Sequence, residues 1–319
     1  MKIVIPGGSG QVGHILGRSL AAGGHEVVVL SRSLRVGFPF PGRVVGWDAE
    51  SLGPWAAELD GADVVVNLAG RSVNCRYTPD HRREILGSRV RSTEVVGRAI
   101  AGCARPPRVW LQASTATIYA HTYSAANDEA TGAVGGGEPG APDAWRFSTD
   151  VAQQWEAAAA ATPTPGTRLV LLRSAMVMSP DAGGVFDVML GLTRRGLGGT
   201  QGNGRQYLSW VHDRDFVRAV EFLIARDDLA GPVNICSPEP LPNAAFLRAL
   251  RRAAGVRVGL PAREWMLAVG ARLLKTETEL VLKSRRVVPG QLLAAGFRFD
   301  FPAWPAAAAD LVGRRRAGR

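Results

Sequence analysis

The chain has 319 residues, of which 46% are hydrophobic and 21% charged, and this ordinary globular composition excludes disordered and fibrous classes. The three cysteines, Cys75, Cys103 and Cys236, lack metal-ligand spacing, so neither a disulfide framework nor a metal site is predicted. The net charge of +10 comes almost entirely from arginine. No apolar run reaches transmembrane length. We expect a soluble cytoplasmic protein without nucleic-acid or membrane partners, whose basic tail at residues 314–319 is a solvated end.

The N-terminal residues predict a βαβ unit. Residues 2–5 are typical of a buried strand, residues 12–21 have helical periodicity, and residues 26–30 are a second apolar strand. Further apolar runs are predicted as strands at 44–45, 64–68, 109–112 and 169–172, and the stretches between them as helices at 51–59, 82–103 and 149–161. This alternation predicts an α/β fold with a Rossmann-type, doubly wound parallel sheet.

The spacing of glycines after the first strand predicts a dinucleotide site. The sequence Gly7-Gly8-Ser9-Gly10-Gln11-Val12-Gly13 has the GxxGxxG pattern between a strand and a helix. Such a turn needs residues without a Cβ, and the helix N-terminus offers free N–H groups and a positive dipole to a pyrophosphate. The candidate cofactor-binding residues of this loop are Gly7, Gly10, Gln11, Val12 and Gly13.

The end of the second strand favours NADP over NAD. An NAD site has a carboxylate here for the ribose 2′-hydroxyl, whereas this chain has Ser31, Arg32 and, shortly after, Arg35. A guanidinium binds a 2′-phosphate bidentately and a serine donates to it. The alternative is that Arg32 is an ordinary surface arginine in an arginine-rich protein.

Two further positions fit the same ligand. Asp48 follows the third strand, where its carboxylate would accept from the adenine amino group or, equally, cap the helix predicted from residue 51. Leu68, Ala69 and Gly70 end the fourth strand, where small residues let the cofactor lie close to the backbone.

The regular alternation fades after Ser174, which predicts a smaller C-terminal α+β substrate lobe. We assign residues 1–173 and about 208–232 to an NADP-binding Rossmann domain, and residues 174–207 and 233–319 to the substrate lobe. Residues 120–144, rich in Gly, Pro, Asn and Asp, are predicted as a long loop near the site.

With these motifs in view, the chain resembles the extended short-chain dehydrogenase/reductase superfamily, and within it the atypical group called epimerase family proteins. The similarity runs nearly end to end and includes Asn67 to Gly70, Arg76-Tyr77-Thr78, Ser88-Arg89, Ala113-Ser114, Trp155-Glu156, Gly202 to Gln206 and Ser209-Trp210-Val211-His212. The resemblance implies a Rossmann core that binds NAD(P), and small-molecule substrates such as nucleotide sugars or other carbonyl or hydroxyl compounds. It also implies cofactor contacts at Ser114 and substrate contacts at Arg76, Gln206 and His212, and it leaves a homodimer open.

The residues that carry this superfamily's usual chemistry are missing. A Tyr-xxx-Lys pair on the helix after the long loop exchanges the substrate proton and holds the nicotinamide ribose. Counted back from Glu156, the two positions fall on Ser148 and Ala152. The superfamily's Ser or Thr after the fifth strand does have a counterpart, Thr115.

Three nearby residues are candidates for the lost proton donor. Tyr119 is either this donor or a structural aromatic below the pocket, and His121 and Tyr123 are either donors or exposed loop residues. His212, followed by Asp213 and Asp215, fits a structural network as well as a site. Two functions follow: an NADP-dependent oxidoreductase or epimerase-like enzyme with a non-standard donor, or an NADP(H)-binding sensor, regulator or scaffold without turnover.

Overall fold

The structure, a computed structural model, describes residues 1–33, 40, 42–273 and 277–318. Its strands are, in chain order, β1 (Lys2–Pro6), β2 (Glu26–Ser31), β3 (Arg43–Gly46), β4 (Val64–Asn67), β5 (Val109–Thr115), β6 (Arg168–Ser174), β7 (Met176–Met178), β8 (Tyr207–Leu208), β9 (Trp210–His212), β10 (Gly231–Ile235) and β11 (Leu241–Pro242). Its helices are α1 (Gln11–Ala22), α2 (Pro79–Ala101), α3 (Asp143–Ala160), α4 (Val185–Arg194), α5 (Asp213–Ala225), α6 (Asn243–Ala254), α7 (Glu264–Leu273), α8 (Glu279–Leu282), α9 (Gly290–Ala294) and α10 (Trp304–Ala317).

Seven of these strands form one parallel sheet in the order β10-β6-β5-β4-β1-β2-β3. The chain builds outward from β1 to β3 on one side and from β4 to β10 on the other, so the order reverses between β1 and β4. Where two parallel strands diverge in this way, their carboxyl ends leave a crevice for a ligand. The predicted fold class, a doubly wound Rossmann-type sheet, is confirmed.

The apolar strands are buried on both faces because helices cover both sides of the sheet. Ile3 and Ile5 face one core, which is completed by helices α1 and α5. Val4 and Val65 face the other core, together with Val96 of α2. Continuous Val and Ile runs are therefore what the sequence needs here, since alternate residues enter different cores.

A separate apolar cluster lies in the C-terminal part of the chain. Trp304 at the start of α10 stacks on Phe246 of α6, with 3.9 Å between ring centroids, and meets Trp210 of β9 edge-on. Helices α6 and α10 thus pack together around aromatic residues that the sheet does not contact.

The boundary that we drew between the lobes at residues 232 and 233 falls inside a strand. Residues of β10 on both sides of it pair in parallel with β6, from Gly231 opposite Val170 to Ile235 opposite Ser174. The whole of β10 is therefore part of the main sheet. The division into two lobes stays a prediction.

Three helices begin at residues other than the predicted ones. The helix predicted at residues 51–59 is a single 3₁₀ segment, Pro54–Glu58, because the carboxylate of Asp48 ties up the preceding turn and Gly53 is extended. Helix α2 begins at Pro79, since Thr78 caps it by accepting from the His81 N–H at 3.3 Å. Helix α3 begins at Asp143, six residues before the predicted start.

Among the residues that the structure describes, none of the helices has both the length and the hydrophobicity of a membrane span.

Candidate functional site

A cleft of about 500 Å³ lies at the carboxyl edge of the sheet, where the strand order reverses. Its walls come from the glycine loop, the ends of β2, β3 and β4, and one face of α2. The residues that line it are Gly7, Ser9, Gly10, Ser31, Arg32, Trp47, Asp48, Ala49, Glu50, Leu68, Ala69, Gly70, Arg71, Glu84, Ser88 and Arg91.

Each glycine of the loop is required for a different structural reason. Gly7 has φ +75°, and a Cβ there would lie 2.6 Å from the backbone of Ala69, so glycine allows the loop to touch the end of β4. A Cβ at Gly13 would lie 2.4 Å from the Gly8 backbone, so Gly13 allows α1 to pack on the turn. A Cβ at Gly10 would meet only the Gly7 carbonyl oxygen, at 3.7 Å. Gly10 thus presents an open backbone surface to the cleft.

The rim beside β2 carries the residues expected to recognise a 2′-phosphate. The Ser31 hydroxyl donates to Ser9 Oγ at 3.1 Å and accepts from the Ser33 N–H at 3.2 Å. Arg32 is exposed and forms no ion pair with any residue that the structure describes. By contrast, the cleft arginines Arg71 and Arg91 are paired, with Glu84 and Glu50 respectively. Arg35 lies outside the described residues.

Asp48 lines the cleft, and its carboxylate also caps the turn after β3. Its oxygens accept from the N–H groups of Glu50 and Ser51, each at 2.9 Å, and from the Ser51 hydroxyl. These hydrogen bonds stabilise the ionised form and lower the pKa of Asp48 to about 2. The capping alternative is therefore present in the structure, and a contact with adenine stays a prediction.

Gln11 begins α1 beside the glycine loop and has an unsatisfied side chain. Its Nε2 atom is buried and has no hydrogen-bond partner within the described part of the chain. A Cβ at Gly184, just before α4, would lie 1.7 Å from this nitrogen, so the absence of a side chain at Gly184 makes room for the amide. A buried amide N–H without an acceptor is costly, and a ligand with acceptor oxygens would satisfy it.

A second, smaller pocket of about 110 Å³ lies between α2, α3 and the end of β5. Its polar lining is formed by Thr115, Thr117, Ser148, Tyr77 and Arg89, with the carboxylate of Glu279 at one side, and its apolar lining by Val73, Ile85, Phe147, Val151 and Trp155. Thr115 Oγ1 accepts from the Thr117 N–H at 3.2 Å, so its hydroxyl proton remains available to donate. Hydroxyl donors and a guanidinium therefore surround a mainly apolar space.

Tyr77 brings a phenol to this pocket from the loop before α2. Its ring packs edge-on against Phe147, with 5.1 Å between centroids. Burial raises the pKa of Tyr77 to about 12, with Glu279 acting in the same direction and the neighbouring Ser148 hydroxyl acting against it. Tyr77 is thus protonated at neutral pH, and it stands beside Ser148, the position where the resemblance expects a tyrosine.

Tyr119 and Ser114 lie outside both cavities, in a buried polar network. The Tyr119 hydroxyl donates to Asn234 Oδ1 at 2.9 Å and accepts from Arg173 at 3.0 Å. The Ser114 hydroxyl donates to Glu156, whose carboxylate also pairs bidentately with Arg173. Tyr119 therefore corresponds to the structural aromatic that was the alternative to a proton donor, and Ser114 has its hydroxyl engaged away from the cleft.

His121 and Tyr123 belong to the loop over the C-terminal segment and line neither cavity. His121 Nδ1 accepts from the Ser284 N–H at 2.9 Å, and its ring stacks on Trp145. Tyr123 is 39% exposed, and its hydroxyl accepts from Asn203 at 3.2 Å. Both side chains tie the loop to other segments. Tyr123 is thus the exposed loop residue that was the alternative to a donor, whereas His121 is half-buried.

The predicted substrate-binding residues also have structural partners. Arg76 pairs with Glu277 at 3.2 Å, and the Nε2 of Gln206 donates to the carbonyl oxygen of Gln201 at 2.9 Å. His212 is fully buried, with its Nε2 3.0 Å from Asp310 and its ring stacked on Phe301. None of the three lines the cleft or the small pocket.

The structure thus brings together about half of the predicted site. The predicted residues that line the cleft are Gly7, Gly10, Ser31, Arg32, Asp48, Leu68, Ala69 and Gly70, and Thr115 lines the small pocket. Gln11, Val12 and Gly13 support the glycine loop from α1 without lining either cavity. Sequence reasoning missed Tyr77 and Arg89 as pocket residues. They were visible only as members of shared motifs, with no pattern to show which side chains they face.

Comparison with known proteins identifies the family. The model of the NAD dependent epimerase/dehydratase family matches residues 3–236, and a domain of unknown function, DUF1731, matches residues 264–311. The chain belongs to the NAD dependent epimerase/dehydratase family. This confirms the resemblance to epimerase family proteins that the motifs indicated.

Relatives within this family cover the chain almost completely. The human epimerase family protein SDR39U1 is 31% identical over 315 residues, which are 98% of this chain and 100% of the human protein. The Mycobacterium tuberculosis epimerase family protein MT2273 is 34% identical over 300 residues, 93% of each chain.

Two solved structures share the fold. A crystal structure of human SDR39U1 with NADPH superposes with a TM-score of 0.84 at 30% identity, covering 98% of this chain and 99% of that one. The nucleoside-diphosphate sugar epimerase of Corynebacterium glutamicum superposes with a TM-score of 0.75 at 27% identity, covering 98% of this chain and 58% of that one.

Proposed function

We propose that this chain is an NADP(H)-dependent enzyme that carries out an oxidoreductase or epimerase-like reaction on a small molecule. The observation that carries the proposal is the combination of two cavities, whose lining residues Gly70 and Arg89 pack against each other. The larger has a glycine loop and, at its rim, an arginine that forms no ion pair with any described residue, and the smaller is lined by hydroxyl donors. A cofactor sensor without turnover would need the first cavity and not the second.

The residues of the larger cavity fit a dinucleotide with a 2′-phosphate. Gly10 offers an open backbone at the N-terminus of α1, and Arg32 and Ser31 offer donors to an anion. Gln11 lines neither cavity but begins α1 beside the loop, and its buried Nε2 has no acceptor among the described residues. The NADPH in the structure of human SDR39U1 supports the same assignment here. When bound, the nicotinamide would supply or accept a hydride.

The residues of the smaller pocket would hold and protonate the substrate oxygen. Thr115 has its hydroxyl proton free, and Tyr77 stays protonated because its pKa is raised to about 12. Such a tyrosine donates a hydrogen bond but is a poor base, so we expect modest turnover. This revises the expected donor set, since Tyr119, His121 and Tyr123 are engaged elsewhere.

A kinetic experiment tests the proposal. A panel of carbonyl and hydroxyl compounds, including nucleotide sugars, is followed through the nicotinamide absorbance. For any compound turned over, Thr115→Val should lower kcat/KM by about ten-fold or more and leave NADPH affinity nearly unchanged, because the hydroxyl faces the small pocket. NADPH binding without turnover of any compound, or an unchanged kcat/KM in Thr115→Val, would favour the non-catalytic sensor.

A further inference from the structure

Arg89 occupies the wall between the two cavities. It extends from α2 with its guanidinium 4.9 Å from the centre of the Trp155 ring and donates to the Ile85 carbonyl oxygen at 2.9 Å. A Cβ at Gly70 would lie 3.3 Å from the guanidinium carbon, so glycine makes room for Arg89 behind the cleft wall. Arg89 also lines the small pocket.

Arg89 is half-buried, and its guanidinium has no counter-charge among the residues that the structure describes. No carboxylate within the described residues lies at ion-pair distance from it, and burial lowers its pKa to about 10. Among the described residues, its guanidinium contacts a carbonyl oxygen and an aromatic face, neither of which neutralises a cation. Since an unpaired charge that is partly removed from water is costly, a guanidinium kept in this state is typical of a site whose anion arrives as ligand.

The other charged groups of the small pocket do not supply that anion. Glu279 also lines the pocket, but its carboxylate is bound by the guanidinium of Arg285. Among the described residues that line the pocket, this pair leaves Arg89 as the unbalanced charge. The described part of the pocket therefore has a net positive charge, which a bound anion would neutralise.

The volume of the small pocket limits the size of the ligand that it can hold. About 110 Å³ is well below the 300–1,000 Å³ that is usual for drug-sized ligands. This volume favours a small acid over a whole nucleotide sugar.

We propose that the small pocket binds a small carboxylic acid that also has a carbonyl or hydroxyl group. Arg89 binds the carboxylate, and Thr115, Tyr77 and Ser148 offer their hydroxyls to the second oxygen. This inference rests on the proposed function, because it names the substrate class of that same site. A guanidinium matches a carboxylate bidentately, and hydroxyl groups suit the neutral oxygen beside it.

Calorimetric titration of the NADPH-saturated protein with oxamate tests the inference, and the neutral oxamide serves as the matched probe. NADPH affinity is measured separately for every variant. We expect oxamate to bind at least ten-fold more tightly than oxamide. Arg89→Gln should weaken oxamate binding by at least ten-fold, and Arg89→Lys should weaken it less because the charge remains. Arg83→Gln, which removes an exposed arginine of the same helix, should bind oxamate like the wild type.

Several results would overturn the inference. These are no oxamate binding to the NADPH-loaded protein, equal affinity for oxamate and oxamide, or unchanged oxamate binding in Arg89→Gln. A ten-fold or larger loss of NADPH affinity in Arg89→Gln would assign the guanidinium to a cofactor phosphate instead. The comparison of oxamate with oxamide needs no variant, so it holds even if Arg89→Gln fails to fold. If the wild type binds no NADPH at all, the proposed function itself fails.

Discussion

Two glycines of one loop, Gly10 and Gly13, face different surroundings. Gly10 has φ −77° and ψ 170°, which any residue adopts, and its missing Cβ points toward the cleft. The missing Cβ of Gly13 points at the Gly8 backbone only 2.4 Å away. One glycine therefore leaves room for a ligand, and the other leaves room for the turn itself.

Substitution by valine should separate these two roles. Gly10→Val should abolish NADPH binding while the melting temperature stays within a few degrees of the wild type, because the side chain fills the cleft and strains no backbone. Gly13→Val should instead lower the melting temperature strongly. Fluorescence titration and thermal unfolding measure the two effects. Normal NADPH affinity in Gly10→Val would mean that the pyrophosphate site has been misplaced.

At the scale of elements, His212 joins the start of α5 to α10. Its Nδ1 accepts from the Arg214 N–H at 3.2 Å as the helix cap, and its Nε2 lies 3.0 Å from Asp310. Arg314 of α10 forms a bidentate pair with Asp213, which extends the connection. Burial lowers the pKa of His212, so the ring is held in its neutral form.

We therefore expect His212→Ala to reduce stability rather than binding. Loss of the ring leaves a cavity and unpaired polar groups, which should lower the free energy of unfolding by about 2–4 kcal/mol. NADPH affinity of the folded variant should remain within two-fold of the wild type. Arg316→Ala, an exposed arginine of α10, is the control. If His212→Ala weakens ligand binding without changing the unfolding curve, the residue belongs to the substrate site after all.

The segment after α8 is held by Lys283 against the short 3₁₀ turn, Ala116–Ile118, that follows β5. This side chain is 1% exposed, and its amine donates to the Thr117 carbonyl oxygen at 2.9 Å. Burial lowers the pKa of Lys283 to about 8, with Arg285 acting in the same direction and Glu279 and Glu138 acting against it. The folded protein thus favours the neutral amine more than the unfolded chain does.

This pKa shift predicts a pH dependence of stability. Between about pH 8 and pH 10.5 the unfolded chain holds the Lys283 proton while the folded protein has released it, so the free energy of unfolding should rise with pH. The rise is at most about 3.4 kcal/mol, since one pKa unit corresponds to about 1.36 kcal/mol. Urea unfolding of wild type and Lys283→Met across this range measures it as the difference between the two curves. Parallel curves would show that Lys283 titrates as an exposed lysine.

At the scale of the whole molecule, the local patterns predicted the sheet and the cleft. Buried runs such as 64–68 indicated parallel strands, and the glycine spacing after β1 indicated the nucleotide site. These features depend on neighbouring residues, so periodicity and turn chemistry reveal them.

The small pocket depends on contacts that no local pattern contains. Tyr77, Arg89, Ser148 and Glu279 come from four separate segments and meet only in the folded chain. Proximity in sequence instead suggested Tyr119, whose ring turns into a buried cluster that also contains Ala152. Packing in this cluster turns the side chains of Tyr119 and Ala152 away from the small pocket, and the order of residues in the sequence does not reveal that packing.

The central claim is that the cleft binds NADPH through its 2′-phosphate at Arg32 and Ser31. The most direct measurement is the titration of wild type, Arg32→Ala and Arg248→Ala with NADPH and with NADH. Arg248 is an exposed arginine of α6 away from both cavities. Charge-assisted contacts of about 1.5–3 kcal/mol predict a ten- to hundred-fold preference for NADPH that Arg32→Ala removes and Arg248→Ala retains. Equal affinities for NADPH and NADH in the wild type, or a preference that survives in Arg32→Ala, would contradict the account.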